Sequence, residues 1–194
     1  MRVAVISPHL DDAVFSVAEH MLSRPDWEFT IVTPFGGQPL DEPHRSKYLI
    51  LHDEHQRVCE FAGWDFINGT LLDDAARVFP WNSDDTEFLR EWLGDAVAGF
   101  DQVWWPLGIH HPDHLLVAEA ECGPGVYRTY EELPYRVLYP PQDELTMLHV
   151  GVRRVGYDPS NLFKKKELCR MYASQVDDQL ERSLYVPERL WGRS

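Results

Sequence analysis

Two short clusters of histidine and aspartate are the parts of this sequence whose residue types and spacing suit chemistry. The first is Pro8-His9-Leu10-Asp11-Asp12, and the second is His110-His111-Pro112-Asp113-His114. Imidazole nitrogens and carboxylate oxygens are ligands that zinc and similar divalent ions take from proteins. A catalytic zinc typically uses three such ligands and keeps one position open, and the two clusters together offer more than three. The surplus side chains could serve as a base for water and as a donor to a developing oxyanion.

Each cluster also has a structural interpretation that involves no ligand. Asp11 or Asp12 could cap the N-terminus of a helix, with His9 in the loop before it. The second cluster could be a solvated, histidine-rich turn, although four of its five residues are ionisable and follow an apolar run. Taken together, the two clusters favour a metal site over two unrelated structural features.

The elements around the clusters would bring them to one edge of a sheet. Residues 2–6 and 102–105 are apolar runs typical of buried strands, and one cluster follows each of them. Ligands of open α/β sheets bind outside the carboxyl ends of the strands. A further strand is predicted at 29–33, and a first helix after Asp11 and Asp12, where apolar residues from Val14 to Leu22 recur at helical spacing. Further helices are predicted at 44–62, 84–98, 115–121 and 160–175, and short β-like runs at 126–130, 135–139 and 146–150. This alternation predicts an α/β fold with a mostly parallel sheet, in a single domain over residues 1–194.

The composition and net charge limit the kinds of molecule that this protein can be expected to bind. The chain has 194 residues, of which 18 are basic and 32 are acidic, giving a net charge of −14. Such a surface disfavours nucleic acid and anionic membranes as partners, and a small-molecule substrate fits better. Cys59, Cys122 and Cys169 are odd in number and far apart, so we expect idle thiols in a reducing cytoplasm. Neither a signal peptide nor an apolar run long enough to span a membrane is visible in the sequence.

The two motifs resemble those of the LmbE/PIG-L family of zinc-dependent N-acetylglucosaminyl deacetylases. That family carries Pro/Ala-His-Pro-Asp-Asp-Glu after its first strand and His-x-Asp-His after a later one. The corresponding segments here are Pro8-His9-Leu10-Asp11-Asp12-Ala13 and His111-Pro112-Asp113-His114. Weaker similarities cover Glu54, Ala62-Gly63, Tyr130-Glu131-Glu132-Leu133-Pro134-Tyr135 and Tyr172-Ala173-Ser174-Gln175. Leu10, Ala13 and Leu51 depart from the family pattern, but none of these changes removes a ligand or the base.

The resemblance implies a Rossmann-like, three-layer fold and a role for each matching residue. His9, Asp12 and His114 would bind the metal, and Asp11 would be the general base. A protonated His111 would stabilise the oxyanion, with Asp113 behind it, although the residues alone leave open which histidine Asp113 orients. Asp74 matches a family stretch near the substrate pocket, and a solvated acidic turn explains it equally well.

The function implied by the resemblance is hydrolysis of an N-acyl group, with acetyl as the first expectation. Asp11 would activate a zinc-bound water, and the substrate would be an N-acetylated amino sugar, a glycoside or a natural-product intermediate. The cofactor would be Zn²⁺, although a site of two histidines and one aspartate can also hold Fe²⁺. An amidase acting on a non-sugar amide or another acyl group, and a non-catalytic binding protein of the same fold, remain as alternatives. The sequence does not choose between a monomer and a homo-oligomer.

Overall fold

A mixed sheet of seven strands forms the centre of the structure. The structure is a computed structural model, and it describes residues 1–77, 83–121, 126–139 and 152–193. The strands run in the order β3-β2-β1-β4-β5-β7-β6. The first five are mutually parallel, and β7 is antiparallel to both β5 and β6. Their bounds are β1 Arg2–Ile6, β2 Glu28–Thr33, β3 Asp65–Asn68, β4 Gln102–Pro106, β5 Val126–Tyr130, β6 Val152–Arg154 and β7 Leu190–Arg193.

Helices cover both faces of this sheet and make the fold three-layered. One hydrophobic cluster joins Val3 and Val5 of β1 to helices on one face, and a second joins Ala4 and Ile6 to helices on the other. Successive side chains of a strand point to opposite faces of the sheet. A continuous apolar run therefore predicts a strand that is covered by helices on both faces. The helices are α1 Asp12–Leu22, α2 His44–Ala62, α3 Ser83–Ala96, α4 Pro112–Glu119, α5 Tyr135–Leu138, α6 Leu162–Arg170 and α7 Asp178–Leu184. Helices α1, α2, α6 and α7 contribute to the first cluster, and α3 and α4 contribute to the second.

The strand order places a crevice where the two predicted clusters lie. From β1 the chain proceeds outward to β2 and β3, and then returns to β4 on the other side of β1. Strands β1 and β4 are paired in parallel, with Val5 opposite Trp104. The loops that follow these two strands leave the same sheet edge in opposite directions, and such a point is the usual ligand site of a parallel α/β sheet.

Most predicted elements are confirmed, and one is wrong. Helix α2 covers 44–62 and ends at Gly63, whose φ of 72° is the left-handed conformation expected of a terminating glycine. The β-like run at 135–139 is instead a helical turn after Pro134, because the N–H groups of Leu138 and Tyr139 bond to the carbonyls of Pro134 and Tyr135 and not to a neighbouring strand. The predicted helix at 160–175 is shorter, since α6 ends at Arg170. The run at 146–150 and Cys122 lie outside the described residues. Within the described ranges, no helix is long and apolar enough to cross a membrane.

Candidate metal centre and active site

Donor atoms of His9, Asp12 and His114, from the two predicted clusters, form a compact triangle that we call the metal triangle. Asp12 Oδ2 lies 3.2 Å from His9 Nδ1 and 3.1 Å from His114 Nε2, and the two nitrogens are 3.4 Å apart. Ligands about 2.1 Å from a tetrahedral ion are separated by about 3.4 Å, so these atoms fit a zinc-sized ion. A wider grouping of His9, His111 and His114 also exists, with one nitrogen from each ring within 4.8 Å of the others. The described residues therefore include a histidine cluster able to hold a metal ion.

The loop after β1 folds so that Asp12 reaches back to His9. The backbone N–H of His9 donates to Asp12 Oδ2 at 2.8 Å. The Ser7 hydroxyl donates to the His9 carbonyl at 2.5 Å and accepts the N–H of Ala13 at 2.9 Å, which closes the turn. Asp11 occupies the N-cap position of α1, but its side chain makes no capping hydrogen bond. The carboxylate of Asp11 is therefore left available to the neighbouring pocket.

Glu132 holds His114 and the loop after β4 in place. Its buried carboxylate accepts the backbone N–H groups of Leu107, Gly108 and Ile109 at 3.1, 2.7 and 3.0 Å. The same carboxylate lies 3.3 Å from His114 Nδ1. A proton held there on Nδ1 leaves the lone pair of Nε2 directed at the metal triangle. Glu132 was not predicted as a site residue, although it lies in a segment that carries the family resemblance.

Asp113 orients the ring of His9 in the way that Glu132 orients the ring of His114. Its buried Oδ2 lies 2.9 Å from His9 Nε2, which leaves His9 Nδ1 free to face the triangle. Its Oδ1 pairs with Arg77 Nη1 at 2.6 Å, and the backbone N–H of Asp74 also donates to Oδ2. We expected Asp113 to stand behind His111, and the structure corrects this, because the carboxylate contacts His9 instead. Arg77 was not predicted as a site residue, although it lies three residues after Asp74.

The charges of the triangle favour a bound cation. Burial alone would lower the pKa of His9, but hydrogen bonds and charges of Asp113 and Asp12 raise it to about 10. The pKa of His114 is likewise lowered by burial and raised by Asp12 and Glu132, to about 9. Burial would raise the pKa of Asp12, yet the two histidines hold it well below its usual range. In the metal-free protein, protons therefore supply positive charge that a divalent ion would replace on binding.

Asp11 is suited to exchange a proton near neutral pH. Burial raises its pKa to about 7, and the negative charge of Asp12 adds to this effect. His9 and His114 act in the opposite direction. A general base works best when its pKa lies near the working pH, which matches this environment.

His111 is held in one neutral form by its place at the start of α4. It is the N-cap residue, and its Nδ1 accepts the N–H of Asp113 at 3.2 Å. The proton of the neutral ring therefore lies on Nε2. Burial lowers the pKa of His111, as do the nearby charges of His9 and His114. The expectation of a protonated His111 is thus corrected to a neutral ring that can still donate one hydrogen bond.

A pocket of about 290 Å³ opens beside the metal triangle. Its wall combines apolar, aromatic and polar side chains, a mixture that suits a small organic ligand. The lining residues are His9, Asp11, Asp12, Phe15, Lys47, Tyr48, Leu51, Asp73, His111, Pro134, Tyr135, Gln175 and Leu180. Asp73 lines the pocket, whereas the predicted substrate residue Asp74 does not. The carboxylate of Asp74 instead pairs with Arg77 at 3.0 Å.

The fold and the site can be compared with known proteins. The sequence matches no protein-family model and has no significant match among curated proteins. A triple mutant of a deacetylase in teicoplanin biosynthesis has a similar structure, with a TM-score of 0.77, 21% identity and coverage of 99% of this chain and 97% of that one. N,N'-diacetylchitobiose deacetylase from Pyrococcus horikoshii gives a TM-score of 0.60, 15% identity and coverage of 93% and 73%. The chain has the fold of these deacetylases.

The deacetylase fold does not by itself determine the reaction. GalB, a 4-carboxy-2-hydroxymuconate hydratase from Pseudomonas putida, matches with a TM-score of 0.61, 16% identity and coverage of 94% of this chain and 82% of that one. One architecture thus occurs both in deacetylases and in a hydratase. The expected LmbE-like fold is confirmed, and the reaction has to be argued from the side chains.

A buried hydrogen-bond chain connects α2 to the peptide that precedes Asp11. The Tyr172 hydroxyl donates to the Leu10 carbonyl at 2.9 Å and lies 2.9 Å from His55 Nδ1. Since the single hydroxyl proton of Tyr172 goes to Leu10, His55 Nδ1 carries the proton that bonds the tyrosine oxygen. His55 Nε2 then accepts from the Cys59 thiol, at 3.7 Å. This chain holds the backbone that positions Asp11.

A second link from α2 brings Gln175 to the pocket wall. The buried carboxylate of Glu54 accepts the backbone N–H of Ser174 at 2.9 Å and its hydroxyl at 2.5 Å. Gln175, the next residue, lines the pocket. Glu54 and the Tyr172-Ala173-Ser174-Gln175 segment carry the weaker family resemblance, and the structure shows that they contact one another.

The buried His55 ring predicts a loss of stability at acid pH. Burial lowers its pKa to about 4 from a usual value of 6.5. The unfolded chain therefore binds this proton first as the pH falls below 6.5, and the folded state loses about 3 kcal/mol by pH 4. We expect the free energy of unfolding of His55→Gln, measured with urea from pH 7 to 4, to fall by about 3 kcal/mol less than that of the wild type. His44→Gln, at the more exposed start of α2, is the control, and equal pH slopes for all three proteins would contradict the prediction.

Proposed function

We propose that this protein is a metal-dependent N-deacetylase of the LmbE/PIG-L family, built as a single domain over residues 1–194. The observation that carries the proposal is the triangle of His9, Asp12 and His114, with Asp11 beside it in the same pocket. The named activities of several fold neighbours support it. They include deacetylases of teicoplanin biosynthesis, the A40926 pseudoaglycone deacetylase Dbv21 and a diacetylchitobiose deacetylase.

Zinc is the metal that we propose for the triangle. Two imidazole nitrogens and one carboxylate oxygen with tetrahedral separations suit Zn²⁺, and the same donors also accept Fe²⁺. The teicoplanin deacetylase Orf2 has been solved in a zinc-inhibited form. That structure covers 90% of this chain with a TM-score of 0.69, which supports a metal centre in this fold.

The residues around the triangle can carry out amide hydrolysis. A bound divalent ion would supply a Lewis acid for the amide carbonyl and would lower the pKa of water in the site. Asp11 accepts the proton of the attacking water as the new carbon–oxygen bond forms. The Nε2–H of neutral His111 donates to the carbonyl oxygen as negative charge develops on it. Asp11 then returns its proton to the leaving nitrogen when the carbon–nitrogen bond breaks.

The substrate that we propose is an N-acetylated amino sugar or a glycoside that contains one. A pocket of about 290 Å³ has room for an acetamido group and about one sugar ring. Tyr48 and Tyr135 provide aromatic surface, while Asp73, Lys47 and Gln175 provide polar groups that hydroxyl groups can bond. This mixture of apolar and polar lining is the feature that favours a carbohydrate.

Elemental analysis and a panel of amides test the proposal together. We expect about one divalent ion per chain in the wild type and in the exposed control Asp53→Asn, and loss of the ion in Asp12→Ala and His114→Ala. Acetate release should follow from N-acetylglucosamine or N,N'-diacetylchitobiose. Turnover of N-acetylated amino acids alone would favour a non-sugar amidase, and a metal-loaded protein without hydrolysis would favour a binding protein. A wild type that takes up no metal when zinc is offered would contradict the mechanism.

A further inference from the structure

One wall of the pocket beside the metal triangle is formed by residues 70–77, which we call the wall segment. Asp73 is the residue of this segment that lines the pocket. Its Oδ1 accepts the N–H of Ala76 at 3.1 Å and so caps the short 3₁₀ turn Asp74–Ala76. This bond fixes the direction of the carboxylate, and Oδ2 remains for a ligand in the pocket.

Arg77 binds the residues on either side of Asp73. Its Nη1 donates to the Leu72 carbonyl at 3.2 Å, and its Nη2 donates to Asp74 Oδ1 at 3.0 Å. The side chain of Arg77 is only 11% exposed, and its guanidinium carbon lies 5.5 Å from the centre of the Phe35 ring. A planar guanidinium with fixed N–H directions and an aromatic ring against it has little freedom to move. Arg77 therefore sets the position of the backbone from which Asp73 projects.

The same guanidinium connects the wall segment to the metal triangle. Arg77 Nη1 pairs with Asp113 Oδ1 at 2.6 Å, and the Asp113 side chain is fully buried. Asp113 Oδ2 accepts the backbone N–H of Asp74 at 2.9 Å and lies 2.9 Å from His9 Nε2. One pair of charged side chains thus contacts both the segment that carries Asp73 and the metal ligand His9. This arrangement fixes the distance between the pocket wall and the metal triangle.

The start of the wall segment is held by the loop after β2. The N–H of Gly37 donates to the Leu71 carbonyl at 2.8 Å. A Cβ atom at Gly37 would overlap the Thr70 carbonyl, so the two backbones approach as closely as glycine alone permits. The segment is therefore fixed by this contact at one end and by Arg77 at the other, with Asp73 between them.

We propose that Arg77 is a positioning residue for substrate binding and that it acts through Asp73. The inference rests on the proposed function, in which Asp73 binds a hydroxyl group of the amino sugar. A carboxylate oxygen accepts such a hydroxyl well only at about 2.5–3.0 Å, so a small displacement of the wall weakens the bond. Lysine cannot replace arginine in this role. Its compact ammonium lacks the planar set of N–H groups that reaches Leu72, Asp74 and Asp113 together.

Arg77→Lys tests the role of the planar guanidinium, because it keeps a positive charge beside the buried Asp113 carboxylate. With N,N'-diacetylchitobiose as substrate we expect KM to rise about tenfold, as for the loss of one charge-assisted hydrogen bond. The value of kcat should change less than about threefold, and elemental analysis should still find about one zinc per chain. Arg57→Lys is the matched control, since Arg57 pairs with Asp53 on the exposed side of α2, and it should behave as the wild type.

A double-mutant cycle with Asp73→Asn separates a role through Asp73 from a general loss of order. Asparagine keeps an Oδ1 acceptor for the cap, and we expect this change alone to raise KM about tenfold. In the Asp73→Asn background, Arg77→Lys should raise KM less than about twofold further. An unchanged KM in Arg77→Lys, or an equal effect in both backgrounds, would overturn the proposal.

Calorimetric binding of N,N'-diacetylchitobiose to zinc-loaded Asp11→Asn protein distinguishes this inference from the proposed function. We expect binding in that background, weakened about tenfold by Arg77→Lys. The absence of any binding to Asp11→Asn would count against the amino-sugar substrate, and against Asp73 as its ligand. Equal binding with and without Arg77→Lys would overturn the role of Arg77 alone and leave the proposed substrate in place.

Discussion

Asp11→Asn is expected to lower kcat for amide hydrolysis by about 10²- to 10⁴-fold, the usual contribution of a general base. Asparagine keeps the size and hydrogen-bonding shape of the side chain but cannot take a proton from water. Asp11 makes no capping hydrogen bond to α1, so the substitution leaves the helix start intact. The metal content should remain at the wild-type level, because the triangle is built from His9, Asp12 and His114. The combination of retained metal and lost turnover is specific to the role of a base.

The pH profile provides an independent measure of the same role. Asp11 acts as a base only when ionised, so kcat/KM of the wild type should rise with pH through the pKa of Asp11. Burial and Asp12 raise that pKa to about 7 in the metal-free protein, and a bound cation would move it lower. Asp53→Asn, on the exposed side of α2, should keep both the activity and the profile. An Asp11→Asn enzyme with at least a tenth of wild-type kcat would remove Asp11 from the mechanism and leave the metal triangle untouched.

Topology predicts that the two clusters lie close together, whereas the choice of His9, Asp12 and His114 as metal ligands rested on the family resemblance. Each cluster follows an apolar run, and two parallel neighbouring strands must end at the same sheet edge. Strands β3 and β7 could not be predicted in this way. Three of the four residues of β3 are exposed, and its side chains do not alternate in character. Gly192 interrupts β7, which pairs in the antiparallel direction at the far side of the sheet.

The side chains that contact the site histidines could not be predicted from the sequence, for a different reason. Motif spacing shows that Asp113 lies near His111 along the chain, but α4 turns the Asp113 side chain towards His9. Arg77 and Glu132 reach the site from segments about 40 and 20 residues away in sequence, and such contacts follow from tertiary packing. His111 was expected to be charged because the family resemblance implies that role, with Asp113 behind it. Burial and the nearby charges of His9 and His114 lower its pKa instead, and its Nδ1 accepts the N–H of Asp113 at the start of α4.

Glu132→Gln is the second substitution for which we expect a large effect, because one carboxylate serves four donors. Three backbone N–H groups and His114 Nδ1 all point at Glu132, whose side chain is fully buried. Glutamine keeps the shape but turns one oxygen into an NH₂ group that must face these donors. We expect a loss of about 2–4 kcal/mol in the free energy of unfolding of the metal-free protein. Without the fixed proton on Nδ1, His114 should also bind metal about 10- to 100-fold more weakly.

Glu131→Gln is the control that separates loss of stability from loss of metal binding. Glu131 is equally buried, but its carboxylate accepts from Trp191 Nε1 at 2.9 Å and pairs with Arg189 at 3.2 Å, away from the triangle. Urea unfolding should therefore show both variants destabilised, while a chelator competition with zinc should show weaker binding in Glu132→Gln alone. Equal zinc affinity in the two variants would mean that Glu132 supports only the loop after β4. In that case the orientation of His114 would have to come from packing within α4 itself, and the metal centre would tolerate a neutral neighbour at this position.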